Sequence, residues 1–575
     1  MPGFRITNLN TVKKLKNYDD SRCKKDTIIY NEWNISRNTL NKFMKDKLFL
    51  ETTQYIIVLE GVIYNSIDLI NKYNVLNFSE AIQCLLNSNK HDFFKHLDGS
   101  FSGAVFFKDE NKWIIYTGPL GEKAIFYYYD KGKFIAGSQL NYITDILKEL
   151  NIHRDIDIDA LNQFMGYGFY LDDSTCLKNV KRLYPGSYVE LTQQDINISS
   201  YKKIDYQQTL QLSNDSYITK LQEKFECAVE KVIKKNAEYN YSNLVDISGG
   251  ADSRMISYTV KKLEAKNIIL DCYGQSGCLD ARIAEQVAND LDYQYIFRSL
   301  DNADCMKHID ENILMNNGAT MYYGITGGKS MLEMFPETLI GLEFTGLLGD
   351  MYDGSMVITY PDGNIDRNYA RFRCSQTLEY KKDFIFPEKE ENRFEHFKNE
   401  YFWFYTRGML FGMTSYFIRQ NFVEVATPFG DPDFLEVYLN IPWEQRVKGN
   451  LLKKWMIKSY PSAAQIPYAA TQINIKKELT ILGLLEKKVK LFSRVLKSKI
   501  GKTMPQGMND ISYWYNTNTS FREYVNTYYS ENVMRCEQFP DINRNVKKLY
   551  SSGSVIDKLI AVSVLSIIKN YIDIY

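Results

Sequence analysis

Ser248, Gly249, Gly250, Ala251, Asp252 and Ser253 stand in a row between a short apolar stretch and a helical one. Two glycines let a backbone approach a ligand closely. The first N–H groups of a helix lack intrahelical partners and sit at the positive end of its dipole, so this loop is expected to bind an anion. The loop contains no lysine. The charge of a triphosphate held there must be met by Mg2+ on a carboxylate and by basic residues elsewhere, and Asp252 is the carboxylate at hand. The plainer alternative is a Gly-Gly turn leading into a helix capped by Asp or Ser, which is common in α/β proteins.

A strand and a helix must aim such a loop. Leu244 to Ile247 reads as a short buried strand, and the stretch after the loop aligns Ile256, Val260 and Leu263 on one helical face. Before it, Phe225, Ala228, Val229, Val232 and Ile233 also share a helical face; after it come strand-like Ile268 to Cys272, a helical stretch from Asp280 to Asp290, and strand-like Tyr295 to Phe297. This βαβα order predicts a parallel sheet covered by helices, with the loop at the carboxyl end of a strand, where open α/β sheets bind ligands. The first 200 or so residues differ: Tyr55 to Leu59, Ala104 to Phe107, Trp113 to Tyr116, Ile125 to Tyr129 and Tyr188 to Leu191 are aromatic and β-branched runs broken by turns. Two domains are expected, 1–210 and 214–575, with the polar segment from Tyr201 to Asn214 as the boundary. Beyond about residue 370 the pattern reads as mainly helical.

Lys+Arg and Asp+Glu both total 70 of the 575 residues, and the pI is near 6.9. No global field is available to hold nucleic acid or a membrane surface. Nine scattered cysteines without a CxxC pair and five unclustered histidines point to a reducing cytosol without structural zinc. The longest apolar stretch, Leu559 to Ile568, is far short of the ~20 residues of a membrane span. A buried C-terminal helix is expected there.

The loop resembles the SGGxDS pyrophosphate loop of the ATP-pyrophosphatase (PP-loop) superfamily, and further segments resemble asparagine synthetases of the glutamine-hydrolysing type. Leu97-Asp98-Gly99-Ser100-Phe101 is similar to LDGxF, and Gly118 to Lys123 followed by Phe126 and Tyr127 to DxxGxKPLYY. Tyr184-Pro185-Gly186 resembles the PG that closes the first domain. Thr345-Gly346 with Gly349-Asp350 resembles SGEGxDE, and Thr427-Pro428-Phe429 and Leu451-Leu452-Lys453 resemble PFLD and LLR. The resemblance spans nearly the whole chain in order. It implies an Ntn-type αββα sandwich followed by a doubly wound parallel-sheet synthetase domain with a helical C-terminal part. It also implies ATP and Mg2+: Ile247, Tyr273, Thr345 and Gly346 would line the nucleotide, Ser248, Gly249, Gly250 and Ser253 would hold phosphates, and Asp252 and Asp350 would bind the metal. β-Lactam synthetases and lasso-peptide cyclases are related.

The pattern also breaks. Glutamine-hydrolysing relatives begin Met-Cys-Gly, so that a terminal cysteine attacks glutamine; this chain reads Met1-Pro2-Gly3-Phe4, and Cys23 lies in a polar, lysine-rich stretch. The NGEIYN segment reads Glu60-Gly61-Val62-Ile63-Tyr64-Asn65, which replaces two polar contacts, and no HRG or HRR motif stands upstream. The N-terminal domain is therefore expected to be a degenerate glutaminase. In the second half, Leu347 and Met351 replace acidic residues around Asp350, which disfavours aspartate as substrate. Lys448, Lys453, Lys476 and Lys477 are the candidates for the cation that stabilises an adenylate; each reads more readily as a solvated surface lysine. Gly324 to Ser330 imitates a Walker loop but lacks its first glycine and a preceding strand, so a plain helix start is expected. The basic run from Lys487 to Lys499 reads as an amphipathic helix, with a docking surface for an acidic or peptide substrate as the alternative.

The resulting expectation is a cytoplasmic ligase. It joins a small-molecule or peptide carboxylate to ammonia or an amine through an adenylate, with a homodimer or a partner protein left open. The alternatives are cyclisation by an internal amine and a nucleotide-binding protein without catalysis.

Overall fold

The computed structural model describes residues 2–10, 22–202, 212–324, 326–352, 373–380, 402–469 and 507–574, with residue 400 and most of 471–490. The expected boundary segment and the basic run lie largely outside the described residues.

The N-terminal half stacks two six-stranded antiparallel sheets. Spatial order in the first is Val180–Arg182, Phe126–Asp130, Lys133–Gly137, Gly3–Thr7, Trp33–Leu40, Cys23–Tyr30. In the second it is Ile196–Ser200, Ser187–Leu191, Lys112–Thr117, Gly99–Phe107, Tyr55–Ile63, Leu48–Glu51. Strand side chains alternate between faces. Trp113 and Ile115 accordingly enter the core between the sheets, whereas Ile114 and Tyr116 enter a second core under the helices Ser66–Tyr73 and Phe78–Asn89. Phe126, Tyr128 and Ile135 of the other sheet meet the helices Leu140–Glu149 and Ile158–Tyr167. Both faces of each sheet are thus covered, giving four layers.

The second half is built on a parallel sheet of β1 (Ser242–Asp246), β2 (Ile268–Gly274), β3 (Gln294–Ser299), β4 (Ile340–Phe344) and β5 (Glu424–Ala426), in spatial order β3-β2-β1-β4-β5. The chain runs from β1 outward through β2 to β3, then returns to the other side of β1 for β4. The carboxyl ends of β1 and β4 therefore flank a topological switch point, where loops diverge and leave a crevice. Helix α1 (Asn214–Glu238) buries Phe225, Val229 and Val232, α2 (Asp252–Lys262) leaves the loop after β1, and α3 (Leu279–Leu291) follows β2. Beyond residue 370 the described residues are mainly helical; the exception is strand β5, whose three residues are too few to show a period. Helix α4 (Asn450–Ser459) packs Trp455 on Phe225 of α1. The C-terminal helix α5 (Val555–Tyr571) is buried along most of its length, as expected, and no helix among the described residues is long and apolar enough to cross a membrane.

Candidate functional site

In the loop after β1, Ile247 is fully buried and its N–H donates to the Asp271 carbonyl (2.8 Å). The next N–H groups are capped by side chains. Ser248 N–H donates to Ser253 Oγ (3.1 Å), Gly250 N–H to Ser248 Oγ (3.3 Å), and Gly249 N–H to Asp280 Oδ1 (3.0 Å) at the start of α3. Burial raises the Asp280 carboxyl above its ordinary range. A Cβ on Gly249 would lie 2.9 Å from Asp280 Oδ1 and closer still to Ala469 Cβ, so only glycine admits this approach. The arrangement leaves donors that an anion can claim by displacing short polar side chains.

Arg254, which the sequence reading passed over, holds the loop's other wall. Its buried guanidinium donates to the carbonyls of Ile466 (2.7 Å), Pro467 (2.6 Å), Gly249 (2.9 Å) and Ala463 (3.4 Å), and stacks over Tyr468. Burial lowers it to about 10. Segment 463–469 is thereby fastened over Gly249, whose carbonyl also accepts from Ala469 N–H (3.2 Å).

The second loop leaves β4 as Thr345, Gly346, Leu347, Leu348, Gly349 and Asp350. Leu348 has φ +69°, a left-handed conformation that is strained for a branched side chain and that clusters at functional sites. This turn carries Gly349 onto Asp252: a Cβ at Gly349 would lie 2.5 Å from Asp252 Cβ and 2.6 Å from its Oδ1. A Cβ at Gly346 would lie 3.1 Å from Asp252 Cβ and from Ser253 N. Asp252, at the start of α2, is thus in van der Waals contact with the second loop, and Asp350 is the residue after that contact. Burial lowers the Arg407 guanidinium from its ordinary value, and Asp350 nearby opposes that shift.

Of the remaining expected residues, Thr345 is buried with its hydroxyl 3.1 Å from Tyr416 OH. Tyr273 is buried at the end of β2, its hydroxyl accepting from Arg419 Nη2 (2.8 Å). Lys453 is half-buried on α4. The Walker-like segment forms the short helix Thr326–Leu332, where Lys329 pairs with Glu311 (2.6 Å).

Behind the loops lies a group that sequence spacing could not reveal. Asp246 and Asp271 are register partners on β1 and β2, and Glu343 on β4 is beside Leu244, so all three carboxyls share one face. Arg419 pairs with Asp246 (2.8 Å) and with Glu343. Asp271 is fully buried, and neither carboxyl oxygen has a partner among the described residues. Burial, then Asp246, drives its pKa well above the aspartate range.

In the N-terminal half, Glu60 is buried and accepts from Thr39 Oγ1 (2.5 Å), with Arg37 3.6 Å away, and Val62 is core. Buried ion pairs join the two halves. Lys47 and Lys123 both reach Glu424 on β5 (3.1 and 2.6 Å), and Lys235 of α1 reaches Asp46 (3.2 Å).

Residues 39–202 match the model of a glutamine amidotransferase domain family. The chain is similar to the putative asparagine synthetase [glutamine-hydrolyzing] 2 of Methanocaldococcus jannaschii, 31% identical over 140 residues, 23% of this chain and 27% of that protein. It is also similar to asparagine synthetase [glutamine-hydrolyzing] 1 of Bacillus subtilis, 22% identical over 273 residues, 46% and 42% of the two chains. The matches thus span less than half the length of these relatives. Among solved structures, glutamine phosphoribosylpyrophosphate amidotransferase from B. subtilis aligns at 8% identity over 52% of this chain and 85% of its own, with a TM-score of 0.24.

Proposed function

We propose that this protein activates a substrate carboxylate with ATP, releasing pyrophosphate, and joins the acyl group to ammonia or an amine. The observation that carries the reading is the seat of Asp252: it lies at the switch point of a parallel sheet, at the start of a helix, pressed against the glycine that precedes Asp350. Mg2+ is commonly held by one or two carboxylates together with phosphate oxygens, and the carboxylates of Asp252 and Asp350 on two glycine-lined loops fit that requirement. The metal would neutralise charge on the departing diphosphate. The chain's own part is to orient that diphosphate on the N–H groups of Ser248, Gly249 and Gly250, displacing Asp280 and the serine hydroxyls. It also keeps the loops in register through Arg254. Fixed donors aimed at a leaving group are the kind of electrostatic assistance that lowers such a barrier most.

The relatives are named as glutamine-hydrolysing, but Glu60 argues against that step here. A buried carboxylate, acceptor only when ionised, stands where the relatives' pattern has an asparagine that can donate to a developing oxyanion. Val62 replaces the acid of the same segment. Ammonia, ammonia from a partner protein, or a substrate amine is therefore the nucleophile, and an internal amine would make the enzyme a cyclase.

Pyrophosphate release measured with a panel of carboxylates and amines tests the reading. Asp252→Ala and Asp350→Ala should each abolish turnover; wild-type rates in either defeat the assignment. Glutamate formed from glutamine would defeat the claim about Glu60. The bond from Gly249 N–H to Asp280 also favours a second reading, a nucleotide-binding protein without catalysis. ATP binding by calorimetry without pyrophosphate release from any pair would select it.

A further inference from the structure

We propose that Arg407 selects the acids this site accepts, by receiving a second carboxylate of the substrate whose first carboxylate is to be activated. The inference deepens the amide-forming reading and rests on it. Trp403 to Gly412 form a π-helix of ten residues, a rare geometry that is frequent at functional sites. The N-terminal half seats it: Arg182 Nη1 donates to the Leu410 carbonyl (3.0 Å), Phe169 packs on Phe411 with ring centroids 4.7 Å apart, and Tyr184 meets Tyr405.

The π-helix and the phosphate loop are the two walls of the Asp350 turn. Gly346 and Gly349 of that turn meet Asp252, whereas Leu347, Leu348 and Met351 meet the glycines of the π-helix. A Cβ at Gly408 would lie 3.2 Å from Leu348 Cδ2 and 3.6 Å from Met351 Cε, and one at Gly412 would lie 3.8 Å from Leu347 Cδ1. The donors for a diphosphate stand on the first wall, and Arg407, next to Gly408, stands on the second.

Arg407 is half-buried, and its guanidinium lies over the Phe411 ring, 4.1 Å from the centroid. Among the described residues that guanidinium makes no hydrogen bond or ion pair. The acids that act on it are Asp350 and the Cys374 thiol, and Asp350 is committed to the metal in the proposed reaction. A guanidinium with its donors unspent and its plane against a ring matches a carboxylate through two parallel bonds. Burial disfavours its charge, a cost that a bound anion offsets.

The carboxylate under activation is not the group received here. It must present an oxygen to phosphorus, and a two-pronged contact would occupy both of its oxygens. Leu347 and Met351 leave the wall beside Arg407 apolar, where acidic side chains would repel a second negative charge. A dicarboxylic acid is therefore the substrate class that fits both walls at once.

Calorimetry on the full-length protein, with Mg2+ and a nonhydrolysable ATP analogue and again without them, compares linear dicarboxylates from succinate to adipate with monocarboxylates of equal length. The wild type should bind one diacid about tenfold or more tightly than its monoacid. Arg407→Leu should lose that preference while the monoacid and the nucleotide analogue bind as before, and Arg407→Lys, a point charge without the planar fork, should recover only part of it. Equal affinities throughout the series overturn the inference, as does a preference that survives in Arg407→Leu or a variant that loses the nucleotide in place of the diacid. Labelling of wild-type arginines by phenylglyoxal, mapped by mass spectrometry, needs no variant: the preferred diacid should slow modification of Arg407, and equal labelling with diacid and monoacid overturns the inference. None of these readouts requires turnover, so their failure is distinct from an absence of pyrophosphate release.

Discussion

Gly349→Ala isolates the contact on which the functional reading turns. Gly349 has no left-handed φ to lose, so alanine is admissible to the backbone and should stabilise through the unfolded chain by roughly 0.4–1 kcal/mol. The new Cβ would lie 2.5 Å from Asp252 Cβ, about 1 Å inside an ordinary carbon contact of roughly 3.5–4.0 Å. Rotation about χ1 would move the Asp252 carboxylate but not its Cβ, so the backbone of one of the two loops must also give way. Overpacking of this kind costs about 1–3 kcal/mol, so the net change in stability should stay within about 2 kcal/mol. The carboxylate, however, leaves its place. A misplacement of about 1 Å at a reacting centre is worth on the order of 10²-fold in rate, or about 2.7 kcal/mol of barrier. Gly346→Ala, whose Cβ would stop 3.1 Å from Asp252 Cβ, should lose much less, roughly tenfold. Pyrophosphate release and urea midpoints measured together decide the matter. If Gly349→Ala keeps wild-type turnover while Asp252→Ala has none, the contact does not position the carboxylate, and the reasoning fails.

Arg254→Ala removes a buried guanidinium from four carbonyls and should lower stability by about 3 kcal/mol or more, seen in the urea midpoint; lysine, without the planar fork, should restore little of it. Asp271→Asn tests the buried acid behind the loops. Its folded pKa is raised, so the native state retains a proton that the unfolded chain gives up near pH 4; wild-type stability should fall as pH rises from there toward the folded value, and the asparagine variant should flatten that fall and be more stable at neutral pH. Thermal melts across pH check this, and an unchanged slope would refute it. Glu424→Gln leaves Lys47 and Lys123 buried without a counter-charge and should cost about 3–5 kcal/mol, whereas replacing all three with apolar residues should cost far less; a small loss from the single change would refute the account of that triad.

The parts legible in the sequence are those carried by neighbouring residues. Ser248 to Ser253 announce a strand-loop-helix because its glycines, its small side chains and the flanking apolar residues are consecutive, and the period change near Asn214 separates two architectures. The N-terminal strands read as continuous apolar runs because Ile114 and Ile115 serve different cores on opposite faces. What stayed hidden depends on three-dimensional register. Asp246, Asp271, Glu343 and Arg419 come from separate elements, and no spacing announces that they share a face. Arg254 gave one usable signal, a charged residue where the first turn of α2 should face the core, but its partners at 463–467 lie two hundred residues away.

The joint between the halves would let an N-terminal half persist even without the chemistry named for its relatives. Lys47, Lys123 and Asp46 neutralise Glu424 and Lys235 inside the joint between the halves, and Lys42 donates to the carbonyls of Glu337 and Ile340 at the entry to β4. Removing one side of such pairs strands the other side's charges in a dry interior, a penalty of several kcal/mol for each ion. The joint also touches the loops that matter, since Gly430 packs on Leu120 from one half and Leu348 from the other. Under the proposed reading, the N-terminal pocket would change by single substitutions such as those at Glu60 and Val62, whereas the surface that braces β4, β5 and the turn before Asp350 cannot be dismantled one residue at a time.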